Sequence, residues 1–168
     1  MGTNGSTMLE PLRQGLPPLD PATVSNAASR ALPPCHEAVR LARRFTGATL
    51  DGWRLDERRD DVRLVVSELV TNALRHALSA DPRHGCEPPA AVRLHLLRWP
   101  GLLVCAVRDP SQEGPVARRT EDFSAESGRG LFLVESFSDG WGWHPMTGGP
   151  GGKVVWASFR VSRGRPAG

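Results

Sequence analysis

Three groups of residues have the types and spacing to do chemistry, and the first is the run ELVTNALRH at residues 68 to 76. On a helix, the Glu68 carboxylate and the Asn72 carboxamide stand one turn apart. An amide oxygen is a hard ligand for Mg2+, and a neighbouring carboxylate orients a hydroxyl or a water, so the pair suits metal-phosphate chemistry. At about 100° per residue, Glu68, Thr71, Asn72, Arg75, His76 and Ser79 share an arc of roughly 140°. Two readings of that face stand. One is an ordinary solvated surface. The other is a lined pocket, because exposed faces favour long charged helix formers, whereas Thr, Asn, His and Ser are mediocre helix formers with short polar groups.

The second group is ESGRGLFLVESF, where Gly128 and Gly130 precede an apolar helical run. Unpaired backbone N–H groups at a helix start point at anions such as phosphate. The alternative is a tight turn entering a helix, and Arg129 either adds charge or faces solvent. The third is Asp109, closing the strand-like run LLVCAVRD. A carboxylate there accepts a hydrogen bond from an exocyclic amine such as that of adenine. Asp-Pro-Ser is equally good turn chemistry. No GxxxxGK[ST] pattern occurs, which excludes a conventional P-loop.

These residues need elements to position them. The Glu68 helix is predicted from about Asp56 to Ala80, with Asp56, Glu57, Asp60 and Asp61 complementing its dipole. Its opposite arc, with Val62, Val66, Leu69, Val70, Ala73, Leu74 and Ala77, is the stripe to bury against a sheet. Ala28 to Leu32 reads as a short strand. After Pro33-Pro34 comes a helix carrying Val39, Leu41, Ala42 and Phe45 and ending near Gly47 or Gly52. VRLHLLRW and LLVCAVRD read as a hairpin joined at Pro100-Gly101. Residues 110 to 127 lack a period and read as a mobile loop. Trp141 and Trp143 fall on a short strand. In the last strand, KVVWASFRV, Val155, Ala157, Phe159 and Val161 share one face, while Val154, Trp156, Ser158 and Arg160 share the other. The expected architecture is α+β: a two-layer sandwich of a mixed, mostly antiparallel sheet covered on one face by helices. It occupies residues 26–162, between a flexible tail (1–25) and a short C-terminal tail (163–168).

Composition narrows the classes. The 168 residues, 39% hydrophobic, suffice for one core, and five Trp, five Phe and no Tyr leave that core to Leu, Val and Ala. The net charge is +3, but only Lys153 of the 21 basic residues is lysine. Such arginine bias accompanies GC-rich coding, and the basic residues are interleaved with acids and apolar residues. Direct nucleic-acid binding is therefore not expected. Cys35, Cys86 and Cys105 lack metal-ligand spacing and indicate a reduced compartment. No run approaches the roughly 18 apolar residues of a membrane span, and the N-terminus has no basic region followed by an apolar one. No membrane association and a cytoplasmic location are expected.

Taken in order, the Glu/Asn helix, the strand-end aspartate and the GRGL turn resemble the N box and the first and second glycine boxes of the GHKL ATPase superfamily. That superfamily includes gyrase and the sensor histidine kinases. Within it, the chain most resembles the small bacterial anti-sigma-factor serine/threonine kinases, over roughly residues 27 to 161. The resemblance implies a Bergerat-type ATP-binding fold with ATP and Mg2+ beneath a lid at residues 110 to 127. It implies Glu68 as catalytic base and Asn72 as Mg2+ ligand. It further implies Asp109 as the adenine-binding aspartate and Gly128, Arg129, Gly130 and Leu131 as the nucleotide-binding turn. Implied partners are a sigma factor, an anti-sigma antagonist protein phosphorylated on Ser or Thr, and a second copy in a homodimer. One departure stands out: where the first glycine box reads DxGxG, this chain has Asp109-Pro110-Ser111-Gln112-Glu113, without either glycine. The departure supports an alternative, a nucleotide-responsive binding module that transfers no phosphate. His36-Glu37 opens a helix as phospho-acceptor dipeptides do, but that mechanism needs a long dimerising helical hairpin before it, and a surface histidine is expected.

Overall fold

The computed structural model describes residues 21–78, 92–110, 126–146 and 152–163. Its elements are strand β1 (Asn26–Leu32), helices α1 (Glu37–Gly52) and α2 (Arg59–Leu78), strands β2 (Val92–Trp99) and β3 (Leu102–Asp109), helix α3 (Glu126–Phe137), and strands β4 (Gly140–Pro145) and β5 (Lys153–Arg160). The strands form one sheet in the order β1-β2-β3-β5-β4. Every pairing among the described strands is antiparallel, so the expected mixed sheet is wholly antiparallel here. The β2–β3 hairpin turns at Gly101, with φ +81°, a conformation that glycine adopts without cost.

Helix α1 runs through Gly47 to Gly52 instead of ending at the first glycine. Gly47 is buried, and a Cβ there would lie 3.2 Å from Arg59 Nη2, so the missing side chain leaves room for a neighbour. The chain leaves α1 through Arg54, which has φ +56°. Asp56 to Arg58 then form a 3-10 turn, and α2 proper begins at Arg59, three residues later than the acidic run predicts. The backbone N–H of Arg59 bonds the Asp56 carbonyl, which closes the tighter turn.

Helix α2 buries Val62, Val65, Val66, Leu69, Val70, Ala73 and Leu74. These are the predicted stripe plus Val65; Ala77 lies outside the described side chains. Each buried Val or Leu contributes about 1.5–3 kcal/mol over exposure, which outweighs the few tenths that β-branching costs a helix. Opposite them stand Leu94 and Leu96 of β2, Leu103, Cys105 and Val107 of β3, and Val155, Ala157 and Phe159 of β5. The other face of the sheet carries a second cluster of Leu97, Trp99, Val104, Ala106, Val154 and Trp156, with Val24, Leu102 and Met146 against it. The two faces of β5 drawn from its alternation thus contribute to separate clusters, Val155, Ala157 and Phe159 to one and Val154 and Trp156 to the other.

Arg58 ties the start of α2 to the far end of the domain. Its guanidinium reaches Asp139 Oδ2 at 3.0 Å, Asp61 Oδ2 at 3.3 Å and the Phe137 carbonyl at 3.2 Å, and it sits 5.2 Å from the Phe159 ring centroid. Asp139 also accepts the Arg160 backbone N–H at 2.6 Å, and this bond, ahead of the arginine itself, holds its carboxyl below the usual aspartate range. The join fixes the C-terminal end of α3 against β5.

Candidate nucleotide-binding site

A small cleft lies between α2 and α3. Its α2 wall is Glu68, Leu69, Thr71, Asn72 and Arg75, and its α3 wall is Gly130, Leu131 and Val134. The polar face drawn from helical spacing therefore faces a neighbouring helix across a cleft, with its apolar stripe in the core behind it. His76 and Ser79, predicted on the same face, lie outside the described side chains. Thr71 donates its hydroxyl to the Ser67 carbonyl at 2.7 Å, and Ser67 does the same to Arg63 at 2.8 Å. These local bonds use the hydroxyl protons within the helix. The carboxylate of Glu68 and the amide of Asn72 remain the chemically versatile groups on this wall.

Gly130 makes the close approach of the two walls workable. A Cβ at that position would lie 3.0 Å from Glu68 Oε2, so any other residue would press on the carboxylate. The glycines do not, however, precede their helix. Helix α3 begins at Glu126, which places Gly128 third in the helix and Gly130 one turn inside it. Only the first four N–H groups of a helix lack an internal partner. Gly128 falls among them, and Gly130 acts through the space that it leaves. The Arg129 side chain and residues 111 to 125, most of the expected lid, lie outside the described residues.

Asp109 is not in the cleft wall. It is the last residue of β3, paired in register with Lys153, the first residue of β5. Lys153 Nζ lies 3.0 Å from Asp109 Oδ2 and 3.1 Å from Oδ1, with the two side chains 0% and 2% exposed. Lys153 was not among the residues that the sequence singled out. One signal was available: it shares the period-2 face of Val155 and Ala157, which turns inward.

The chemistry of a magnesium nucleotide provides a test of fit. Asn72 and Glu68 line the cleft opposite Gly130 and Leu131 of α3, and their hard oxygen donors are of the kind that a magnesium-phosphate group requires; the unpaired amides of α3 lie in the turn before Gly130. Asn72 would hold the metal, and the helix-start amides the phosphates. The base end fits less well. Asp109 lies outside the cleft wall and is only 2% exposed at its side chain. Its carboxylate is engaged by Lys153.

A search of the curated proteins finds no match. The family described as histidine kinase-like ATPase domain matches residues 32–159, a span that begins at the end of β1, ends in β5 and includes Glu68, Asn72, Asp109, Gly130 and Lys153. No described helix is long and apolar enough to cross a membrane. With well over half of its length matched, the chain belongs to the histidine kinase-like ATPase domain family.

Proposed function

We propose that this chain is an ATP-dependent regulator of the anti-sigma-factor type, a serine/threonine kinase that phosphorylates a protein antagonist. The observation that carries the proposal is the placement of Glu68 and Asn72 on adjacent turns of α2, facing Gly130 and Leu131 across one cleft. Asn72 would ligate Mg2+, which supplies neutralisation of phosphate charge when bound. Glu68 would accept the proton of an incoming serine or threonine hydroxyl, with Gly130 leaving its carboxylate room. A sigma factor as the regulated partner, a homodimer and a cytoplasmic location belong to the same proposal. Incubation with γ-labelled ATP and candidate antagonist proteins tests it. Transfer that falls at least ~100-fold in Glu68→Gln supports a base role. Wild type and Glu68→Gln alike in giving no transfer would sink the kinase.

A second reading has its own support. Asp109 is held by Lys153 and is followed by no glycine at residues 110, 111, 112 or 113. Weak seating of the base favours a module that responds to nucleotide by changing how it binds a partner, without phosphoryl transfer. Calorimetry with Mg-ATP alongside a turnover assay separates the two. Binding without turnover selects the module, and absence of binding removes both.

A further inference from the structure

We infer that the chain's own N-terminal segment, residues 1–20, docks on the sheet face turned away from the helices, with its leucines laid over β2, β3 and β5 as an intramolecular strap. The strap is independent of the nucleotide reading of the cleft.

That outer face is dry. Leu97, Trp99, Val104, Ala106, Val154 and Trp156 are 0–5% exposed, although α1, α2 and α3 all pack on the opposite face. A bare sheet face leaves such side chains in water, so apolar groups must lie over them. Among the described residues, Val24, Leu102 and Met146 pack there. They flank the face at its two ends. Val24 and Leu102 are at the hairpin end, where the Ser25 backbone N–H bonds the Arg98 carbonyl at 2.7 Å, and Met146 is at the other, where its N–H bonds the Gly152 carbonyl at 2.8 Å. The middle, at Val104, Ala106 and Trp156, needs a further cover.

Residue types single out the segment that supplies it. Residues 79–91, 147–151 and 164–168 contain no Leu, Ile, Val, Met, Phe or Trp, and residues 111–125 contain only Val116 and Phe123. Residues 1–20 carry Met8, Leu9, Leu12, Leu16 and Leu19. Reach agrees with composition. Leu19 lies five residues before Val24, which is already on the face. The 12 residues from Met8 to Leu19 span roughly 18 Å as a helix and about 40 Å extended, against about 27 Å for the 8 residues of β3.

The face also holds polar groups in want of partners. His95 pairs in register with Ala106, and His144 with Val154, which places both histidines on it. Trp156 Nε1, His95 Nδ1 and both ring nitrogens of His144 are buried without a hydrogen-bond partner. A polypeptide lying over them brings carbonyl acceptors and amide donors, which the acyl chain of a lipid does not.

Dye binding and urea denaturation of the full chain test the docking. Leu12→Asp/Leu16→Asp should raise the emission of a dye that reports exposed apolar surface, because charged side chains cannot lie on a dry face. It should also shift the urea midpoint downward while the transition stays cooperative. Gln14→Asp, which charges the same segment and removes no apolar contact, should leave both readings at wild type. A double variant that matches wild type in both readings overturns the inference, and so does Gln14→Asp moving them as far as the double variant. Wild-type emission per chain that rises on dilution assigns the face to a second copy of the chain and overturns it equally.

Discussion

Glu68 Oε2 lies 3.0 Å from the point where a Cβ on Gly130 would stand, so the carboxylate of one helix rests against the bare backbone of the next. The obstructed atom is the end of a flexible side chain, and Gly130 lies inside α3. Gly130→Ala should therefore leave the fold at least as stable, since alanine in a helix interior gains about 1 kcal/mol over glycine. The same change should displace Glu68 and lower phosphoryl transfer or Mg-ATP affinity about tenfold or more. Urea denaturation and calorimetry on one variant check both signs. Loss of stability with unchanged binding would show that Gly130 serves packing alone.

Asn72 offers a cleaner test of the metal end. Its side chain lines the cleft and leaves the α2 core stripe untouched. Asn72→Ala should lower affinity for Mg-ATP about tenfold or more while affecting nucleotide without Mg2+ far less. Titrations with Mg2+ and with a chelator separate the two; an equal loss in both would place Asn72 on the nucleotide and not on the metal.

Arg58 holds three segments together, and Arg58→Ala should cost about 1–3 kcal/mol. It removes the contacts to Asp139, Asp61 and the Phe137 carbonyl and the stacking over Phe159. The pairs are partly exposed, which keeps the cost below that of a buried pair. A shift in urea midpoint without a change in slope is the expected result.

His95 should make stability depend on pH. It lies on the sheet face away from the helices, 8% exposed, with Nδ1 lacking a hydrogen-bond partner among the described residues. Burial first, and then the charges of Arg93 and Arg108, push its pKa down from 6.5 to about 4. The unfolded chain takes up the proton at the higher pH. The contribution is thus fully present above 6.5 and is lost as pH falls through the window to about 4, up to roughly 3 kcal/mol in all. Urea titrations at pH 7.5 and 4.5 should show the loss, and His95→Leu should reduce it.

The polar face of ELVTNALRH was legible because helical spacing alone places Glu68, Thr71, Asn72 and Arg75 together, opposite a stripe that must be buried. The strands and the hairpin at Gly101 were legible for the same local reason: alternation and turn chemistry act within a few residues. The start of α3 was not legible. Glu126 and Ser127 are compatible with loop or helix, and α3 begins two residues before Gly128.

By itself, the sequence determined which residues form each face: Glu68 and Asn72 on one side of a helix, Val155, Ala157 and Phe159 on one side of a strand. Those relations are set by the backbone period of a single element. Only the tertiary structure decided that Gly130 meets Glu68 and that Lys153 claims Asp109. Residues 109 and 153 are brought opposite each other by the register of β3 on β5, with Gly152 permitting the approach. No local pattern encodes that register, because it is fixed by which faces the sheet and helices can bury together.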